Sequence, residues 1–382
     1  MKILHLLYES KGDYFGIGGV GIRAYEIYKY LNDRHDVTLL CKQYPGAEDG
    51  KKEGLNHIFV GTESKSLAKT LLSYAYKAAR FVKKNGGDFD IIIEEFSPAI
   101  PTFLHSFTEK PVILQVQGYT GSLYFKKYNP VSALFLFSME RLRAHFYKNF
   151  IFISDNTVER VLHGNPFRTH FQKGGKGGLV EIIPNGISPE LLDLSYGEEK
   201  YILYLGRIDV YGKGLDVLIN AYKEFYQSFP DIKLVIAGDG RDREVFNTEL
   251  MKLPEDIKKN IEFLGWVSGG RKIEVISRAS FCVFPSRHEV QGIAVLEAMA
   301  CGKAVIVSEI SEFRYVTRNR AGTSFKTGDA FSLALSMKEL ITNSDRKEMG
   351  LRGKRWVKDF TWDKIALKYE QFLYTVLEKQ SR

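Results

Sequence analysis

Residues 281–302 read Phe-Cys-Val-Phe-Pro-Ser-Arg-His-Glu-Val-Gln-Gly-Ile-Ala-Val-Leu-Glu-Ala-Met-Ala-Cys-Gly. The apolar run Phe281–Phe284 stops at Pro285, which cannot extend a sheet ladder, so a buried strand ends there. Gly292 then opens a second apolar run that Gly302 closes, and this spacing predicts a helix over 294–300. Glu289 falls in the loop and Glu297 in the first turns of the helix, roughly on one side if the helix were continuous. Strand, loop and helix in that order form half of a βαβ unit, and the same alternation recurs on both sides.

Downstream, Ala304–Val307 reads as the next strand. Upstream, strands are expected at Tyr201–Leu205, Lys233–Ala237 and Asn260–Phe263, with helices over 215–229, near 242–251 and near 270–278. The first half repeats the theme. Its strands are expected at Lys2–Tyr8, Asp36–Cys41, Ile58–Gly61, Asp90–Glu94, Val112–Val116, Asn149–Ile153 and Val180–Ile183, and its helices near 20–32, 66–84, 130–147 and 155–163. Each half therefore reads as an open α/β sheet. Ser188–Lys200, with Pro189, Gly197 and mixed charge, reads as a linker. Asn165–Gly178, containing Lys173-Gly-Gly-Lys-Gly-Gly178, reads as a surface loop without the spacing of a phosphate-binding P-loop. Trp356–Lys379 reads as one or two closing helices.

A chain of 382 residues exceeds one small core and points to two domains. With 44% hydrophobic and 26% charged residues the composition is ordinary for a globular protein, which excludes wholesale disorder, collagen and a coiled coil. Cys41, Cys282 and Cys301 show no metal-ligand or C-x-x-C spacing, which fits a reduced, cytoplasmic compartment. Met1 runs directly into an apolar strand without a signal-peptide pattern. The longest apolar stretch, Val131–Met139, falls well short of the roughly 18 residues that a spanning helix needs. A cytoplasmic protein, soluble or peripheral on the inner face of the membrane, is expected. The net charge of +8 suits phosphates, nucleic acid or a phospholipid surface and selects none of them.

Three constellations carry chemistry. Gly16-x-Gly18-Gly19-x-Gly21 satisfies G-x-G-x-x-G, yet Glu9–Phe15 separate it from the strand and the second strand ends in Leu40-Cys41 rather than near an acid. A nicotinamide fingerprint is disfavoured on both counts. What remains is backbone without side chains at a helix start, open to phosphate or sugar, and a tight strand-to-helix turn explains the glycines equally well. Second, Tyr204-Leu-Gly206-Arg207 ends a strand and Lys213-Gly214 precedes a helix, so two cations and a favourable dipole converge on an anion such as a diphosphate. Third, Glu289 and Glu297 flank the Gly292 helix start. Acids there would repel a phosphate, so they are read as accepting hydrogen bonds from sugar and ribose hydroxyls while backbone N–H groups take the phosphates.

In chain order, Gly18-Gly19, Ile183-Pro-Asn-Gly186, Gly206-Arg207 with Lys213-Gly214, Ala237-Gly-Asp-Gly240, Phe263-Leu-Gly265 and the Glu-x7-Glu run through Gly302 resemble the retaining glycosyltransferases of family 4. The resemblance is strong from about Ile182 to Gly322, looser before, and includes the closing Phe360-Thr-Trp362. It implies the α/β GT-B fold, two Rossmann-like domains with parallel sheets facing across a cleft. Residues 1–188 would bind acceptor, 189–355 would bind the nucleotide sugar, and 356–382 would form a helix crossing back onto the first domain.

The resemblance further implies that Arg207 and Lys213 hold the diphosphate, that Glu297 binds ribose and that Glu289 binds the donor sugar. The backbone of Gly292, Ile293 and Ala294 would face phosphate or sugar, Gly18 and Gly19 would complete the diphosphate site, and Arg241 would lie near the nucleotide. Catalysis would rest on Arg207, Lys213 and Glu289, with a hexose moved from a UDP- or GDP-linked donor without metal or further cofactor. Where the family often has a histidine after the fourth strand, this chain has Gln117, which can bond a hydroxyl but cannot carry a proton.

Gln117 and Tyr119 mark the acceptor side. The stretch 119–148 mixes Tyr124, Phe125, Phe135 and Phe137 with Lys126, Lys127, Arg141 and Arg143, and the helix near 66–84 carries a basic face. Together they suit an anionic membrane and a lipid-linked acceptor, and equally a core helix with a solvated side, so glycan, lipid-linked and small-molecule acceptors all stay open. No motif points to nucleic acid. A nucleotide-sugar-binding protein without transferase activity, or an epimerase or phosphorylase of the same fold, stands as the alternative. The scattered His5, His105, His145 and His163 are assigned no role, and His288 lies beside Glu289.

Overall fold

The computed structural model describes residues 1–13, 16–163, 178–193 and 196–380. They form two compact units, Met1–Asn185 with Trp362–Arg382, and Gly186–Thr361.

In the first unit the order is β1 (Lys2–Leu7), α1 (Gly19–Lys29), β2 (Asp36–Lys42), β3 (Gly50–Lys52), β4 (Leu55–Val60), α2 (Leu67–Asn85), β5 (Ile91–Glu95), β6 (Val112–Val116), α3 (Tyr124–Lys127), α4 (Pro130–Leu142), β7 (Asn149–Phe152), α5 (Asp155–Val158) and β8 (Val180–Ile182). The sheet runs β3-β4-β2-β1-β5-β6-β7-β8, parallel except for the β3–β4 hairpin. The second unit continues with α6 (Glu190–Asp193), β9 (Tyr201–Leu205), α7 (Leu215–Tyr226), β10 (Lys233–Ala237), α8 (Arg243–Met251), α9 (Glu255–Lys259), β11 (Ile261–Gly265), α10 (Gly269–Arg278), β12 (Phe281–Phe284), α11 (Ile293–Ala300), β13 (Val305–Ser308), α12 (Arg314–Arg318), β14 (Gly322–Phe325), α13 (Ala330–Thr342) and α14 (Arg346–Val357). Its sheet, β11-β10-β9-β12-β13-β14, is parallel throughout. The chain then returns to the first unit as α15 (Trp362–Gln380).

The central strands are apolar on both faces because helices cover both, as a parallel sheet requires. Period-two alternation then sorts the exceptions. In β5, Glu94 faces the side that buries Leu4, Leu6, Tyr74 and Ala78, while the adjacent Glu95 reaches His5 on the other. Glu94 is 2% exposed and is met by Arg143, Thr102 and Tyr147. The guanidinium of Arg143, itself fully buried, also bonds Ser97 O at 2.7 Å. The turn of the chain that aims Arg143 inward explains why the helix expected over 130–147 is α4 followed by a tighter 3-10 turn at Arg143–Phe146. The helix expected over 155–163 is likewise α5 and a wider π turn, Glu159–His163.

Arg23 on α1, also fully buried, donates to Ile183 O at 2.8 Å, Pro184 O at 2.6 Å and Asn185 Oδ1 at 3.2 Å, clamping the chain where it leaves the first unit. Burial pulls its pKa down to about 10, which still leaves it charged at neutral pH. α15 closes this face: Glu370 takes His35 at 2.6 Å and Arg34 at 2.9 Å, and Tyr369 meets Tyr28 edge-on.

The stretch expected as a linker, Ser188–Lys200, contributes Leu191 to the core of the second unit beside Ile187, so the chain changes unit at Asn185–Gly186 instead. Ile187 pairs in turn with the chain at Phe360 and Thr361. The loop expected at Asn165–Gly178 lies, apart from Gly178, outside the described residues. β3 and β14 had no sequence expectation, because Gly-Lys-Lys and Gly-Thr-Ser-Phe lack a run of β-branched or aromatic residues.

Replacing Arg143 by Met leaves Glu94 a buried charge without a cation, and the protein is expected to lose about 3–5 kcal/mol of stability in urea unfolding. The double variant Arg143→Met with Glu94→Gln should recover most of that loss. A single variant as stable as the parent would show that this pair does not hold the sheet.

Candidate active site

Strand order in the second sheet reverses between β9 and β12, and open α/β sheets bind ligands beyond the carboxyl ends of their strands at such a reversal. Arg207 leaves the end of β9 with its side chain 57% exposed and, among the described residues, only Asp209, at 3.9 Å, as an ionic neighbour. Lys213, six residues on, places Nζ 2.6 Å from Glu289 Oε2, both side chains being 19% exposed.

Two features press these loops together. Gly214 caps α7 at φ 70°, and a Cβ there would stand 2.0 Å from Pro285 O, so only glycine fits. Arg287 donates its backbone N–H to Gly212 O at 3.0 Å and forks onto Asp216 at 2.7 and 2.6 Å, which raises the pKa of its guanidinium. The loop after β9 and the loop after β12 are thereby one construction.

α11 starts at Ile293 with Gly292 as its cap and no side-chain cap, so its first N–H groups, those of Ile293 and Ala294, lie at the helix start. Glu289 folds over this start: a Cβ on Gly292 would come within 2.9 Å of its Oε1. Glu297, 8% exposed, lies a turn further and accepts from Lys272 Nζ of α10 at 2.5 Å. The two acids do not share a continuous helix; each has its own lysine. Tyr204 of β9 donates its hydroxyl to Arg207 O at 2.8 Å. Burial, then the Glu289 charge, pushes its phenol pKa up, so it remains a neutral donor. Arg241 is exposed in the loop after β10 and makes no ion pair among the described residues.

Sequence reasoning missed Lys272, Asp216 and Arg287. Lys272 sits on a basic, solvated-looking helix start where nothing local marks it. Arg287 stands inside the deciding stretch, but its partner is 71 residues away. A surface cavity lined by Lys200, Tyr201, Lys233, Glu262 and Arg271 opens at the amino ends of the strands, opposite the ligand edge.

In the first unit the reversal lies between β1 and β5. The helix start expected to take phosphate already has an anion of its own. Glu9 accepts from Gly18 N at 3.0 Å and from Gly21 N at 3.1 Å, and a Cβ on Gly18 would meet its carboxylate at 2.8 Å. A phosphate reaches the Gly18 amide only by displacing Glu9; Gly19 N–H is not part of that contact.

Gln117 follows β6, its Nε2 lying 2.9 and 3.0 Å from the two oxygens of Glu95. Glu95, 3% exposed, also takes Gln115 Nε2 at 2.5 Å and His5 Nε2 at 3.1 Å, and His5 Nδ1 meets Tyr28 Oη at 2.8 Å. Tyr119 belongs to the loop held by buried Glu140, which accepts from Thr120 N and Gly121 N, each at 2.7 Å, and from Tyr124 Oη at 2.9 Å. Burial raises the pKa of Glu140 and those donors oppose the rise.

α4 buries only Ala133 and Glu140 among its residues and exposes Val131, Leu134, Phe135 and Leu142, with Phe125, Tyr128 and Phe146 exposed close by in the chain. α2 exposes Leu72 and Tyr76 among Lys65, Lys69, Lys77, Arg80, Lys83 and Lys84. No described helix is long and apolar enough to cross a membrane.

Residues 193–356 match the family description "Glycosyl transferases group 1", and residues 17–191 match "Glycosyltransferase Family 4". The phosphatidyl-myo-inositol mannosyltransferase of Mycobacterium leprae is 30% identical over 221 residues, 56% of this chain and 58% of that one. The enzyme of the same name from Mycobacterium tuberculosis is 35% identical over 156 residues, 39% of this chain and 40% of that one. The chain thus spans about half the length of the curated relatives it matches. Among solved structures, sucrose-phosphate synthase from Thermosynechococcus elongatus superposes with a TM-score of 0.76 at 18% identity over 99% of both chains. Anabaena HepE, solved with UDP-glucose, gives 0.71 at 17% identity over 98% of this chain and 100% of that one. At such identity these likenesses speak for the fold, and together with the two family descriptions they establish that the chain belongs to glycosyltransferase family 4, on the GT-B fold.

Proposed function

We propose that the protein transfers a hexose, with retention at the anomeric carbon, from a nucleotide-diphosphate sugar to a hydroxyl of a lipid-linked or glycan acceptor. The observation that carries this reading is the Lys213–Glu289 pair at the reversal of the second sheet, beside Arg207 and the uncapped start of α11.

A diphosphate has more charge to offer Lys213 than one carboxylate does. On its arrival Lys213 turns from Glu289 to phosphate, joined by Arg207 and the first N–H groups of α11. Glu289, relieved of its cation, then accepts hydrogen bonds from hydroxyls of the donor sugar, and Glu297 accepts from ribose. As the bond from the anomeric carbon to the diphosphate oxygen lengthens, charge grows on that oxygen, where the cations and the helix start stabilise it. The acceptor oxygen attacks from the same face and its proton passes to the leaving diphosphate oxygen, so no side-chain base is needed. Side-chain cations do here what a metal would otherwise do.

The apolar surface of α4 and the basic surface of α2 support a lipid acceptor taken from an anionic membrane, at its cytoplasmic face. The relatives named as phosphatidyl-myo-inositol mannosyltransferases support the same class of acceptor.

One nucleotide diphosphate among UDP, GDP and ADP, with its sugar conjugate, is expected to raise the melting temperature, and Lys213→Ala and Glu297→Ala should each abolish the rise. A protein indifferent to all three has no diphosphate site, and the transferase reading falls.

In turnover, Lys213→Ala and Arg207→Ala should each lower kcat by about 10²–10³ while melting within a few degrees of the parent. Normal transfer by the double alanine variant would overturn the electrostatic mechanism.

In sedimentation, vesicles containing phosphatidylglycerol are expected to bring the protein down in a salt-sensitive way, and Leu134→Ser with Phe135→Ser should leave it in solution. Equal binding to phosphatidylcholine alone would remove the membrane surface from the account.

A further inference from the structure

Glu95 ends β5 on the α1 face of the first sheet, in register with Gln115 of β6. Three nitrogen groups converge on its carboxylate, from His5, Gln115 and Gln117. The first two are buried, at 1% and 0% exposure, and serve the interior. Gln117 is different. It lies past the strand end, is only partly buried, and stands beside the β1–β5 reversal.

A carboxylate only accepts hydrogen bonds, so the part of Gln117 that faces it must be the NH2. The amide plane then fixes the rest: Oε1 points away from Glu95. That oxygen has no partner among the described residues, and it is not among their sealed, unpaired polar atoms, whereas Gln115 Oε1 is. An acceptor reachable by solvent, on a side chain that cannot flip without losing both contacts to a buried charge, is a recognition element of fixed polarity.

We propose that Glu95 is a positioning residue that locks the amide of Gln117, so that this edge of the first unit presents an acceptor and no donor to substrate. Gln117 Oε1 receives the hydrogen of one sugar hydroxyl, and a group that cannot donate there is rejected. This rests on the glycosyl-transfer reading above. The sugar belongs to the donor or to the acceptor; the chemistry at Gln117 is the same for both.

The lock predicts what a histidine at this position would do. Its imidazole would give one N–H to Glu95 and, when neutral, show an unprotonated nitrogen outward, the same polarity as the glutamine. Methionine would fill the volume and show nothing.

The test uses full-length protein and is repeated at rising pH up to about 9.5, so that the imidazole of Gln117→His is also read in its neutral form. The donor arm is calorimetric binding of UDP-glucose and GDP-mannose and their single deoxyfluoro derivatives, since fluorine cannot donate. The acceptor arm is turnover with methyl mannoside and myo-inositol against their deoxyfluoro forms. In the parent, fluorine at one position should weaken Kd or KM by roughly three- to tenfold, the range of one neutral hydrogen bond. Gln117→Met should lose that discrimination and Gln117→His should restore it. Glu95→Gln, which offers the neighbouring amide both a donor and an acceptor, should blunt it with the fold intact by melting.

A fluorine penalty equal in the parent and in Gln117→Met at every position of both arms overturns the proposal, as does an unblunted penalty in Glu95→Gln. If the parent binds no nucleotide sugar at all, the transferase reading itself falls, an outcome separate from those two.

Discussion

A parallel sheet delivers every strand to the same edge, with neighbours about 4.8 Å apart, and this constraint governs the rest of the molecule. The connections that leave that edge have little room. At Gly238 a Cβ would stand 1.8 Å from Gly206 O, and at Gly214 it would run into Pro285 O, so glycine lets the loops after β9, β10 and β12 stack closely. Close loops bring their charges close as well. Arg207, Asp209, Lys213, Asp216, Arg287 and Glu289 all fall after strand ends or at the helix starts that follow them, and the ion pairs among them are how the edge tolerates its own crowding.

Exposure separates two kinds of pair. Glu94 and Arg143 are sealed inside the first sheet, where losing one partner strands the other in a medium that cannot solvate it. Lys213 and Glu289 are 19% exposed, close enough to water that exchanging partners costs little and their mutual attraction adds little to stability. Such a pair holds its members in place without committing either to the other, as the proposed exchange for a diphosphate would need. The same reasoning applies with the opposite sign at Glu9, which fills the α1 start from within the chain. In the first unit Glu9 bonds amides of the α1 start directly; in the second, Glu289 lies over the α11 start but is paired with Lys213.

The second sheet was legible because its strands are short apolar runs cut by Gly and Pro: Tyr201–Leu205, Lys233–Ala237 and Phe281–Phe284 begin and end where the pattern puts them. The cations at the strand ends were legible for the same reason, since a strand followed by glycine and arginine leaves few places for the arginine to go. What the pattern could not show is pairing across distance. Nothing near Lys272 names Glu297, and nothing near Arg23 names the carbonyls of residues 183 and 184. Glu9 hid in the gap that separated the glycines from β1, where it weakened a motif instead of suggesting a cap. The doubled acid of Ile-Ile-Ile-Glu94-Glu95 did carry a signal, because two carboxylates closing an apolar strand must find donors on both faces. The expectation at Ser188–Lys200 failed because proline, glycine and charge describe a turn as well as a linker, and Leu191 is the residue that tells them apart.

Seen from Glu95, a glutamine at position 117 is more than a histidine without its proton. Beside a buried carboxylate an imidazole would be drawn toward its charged form, and an imidazolium donates from both nitrogens. Its outward face would then change from acceptor to donor as pH fell. An amide has no such second state. With Glu95 holding its NH2, Gln117 turns its oxygen outward, and the amide has no titration of its own that would reverse that polarity. A glutamine there carries no proton, which the proposed same-face displacement would not require, and keeps the polarity that the proposed hydroxyl contact would require.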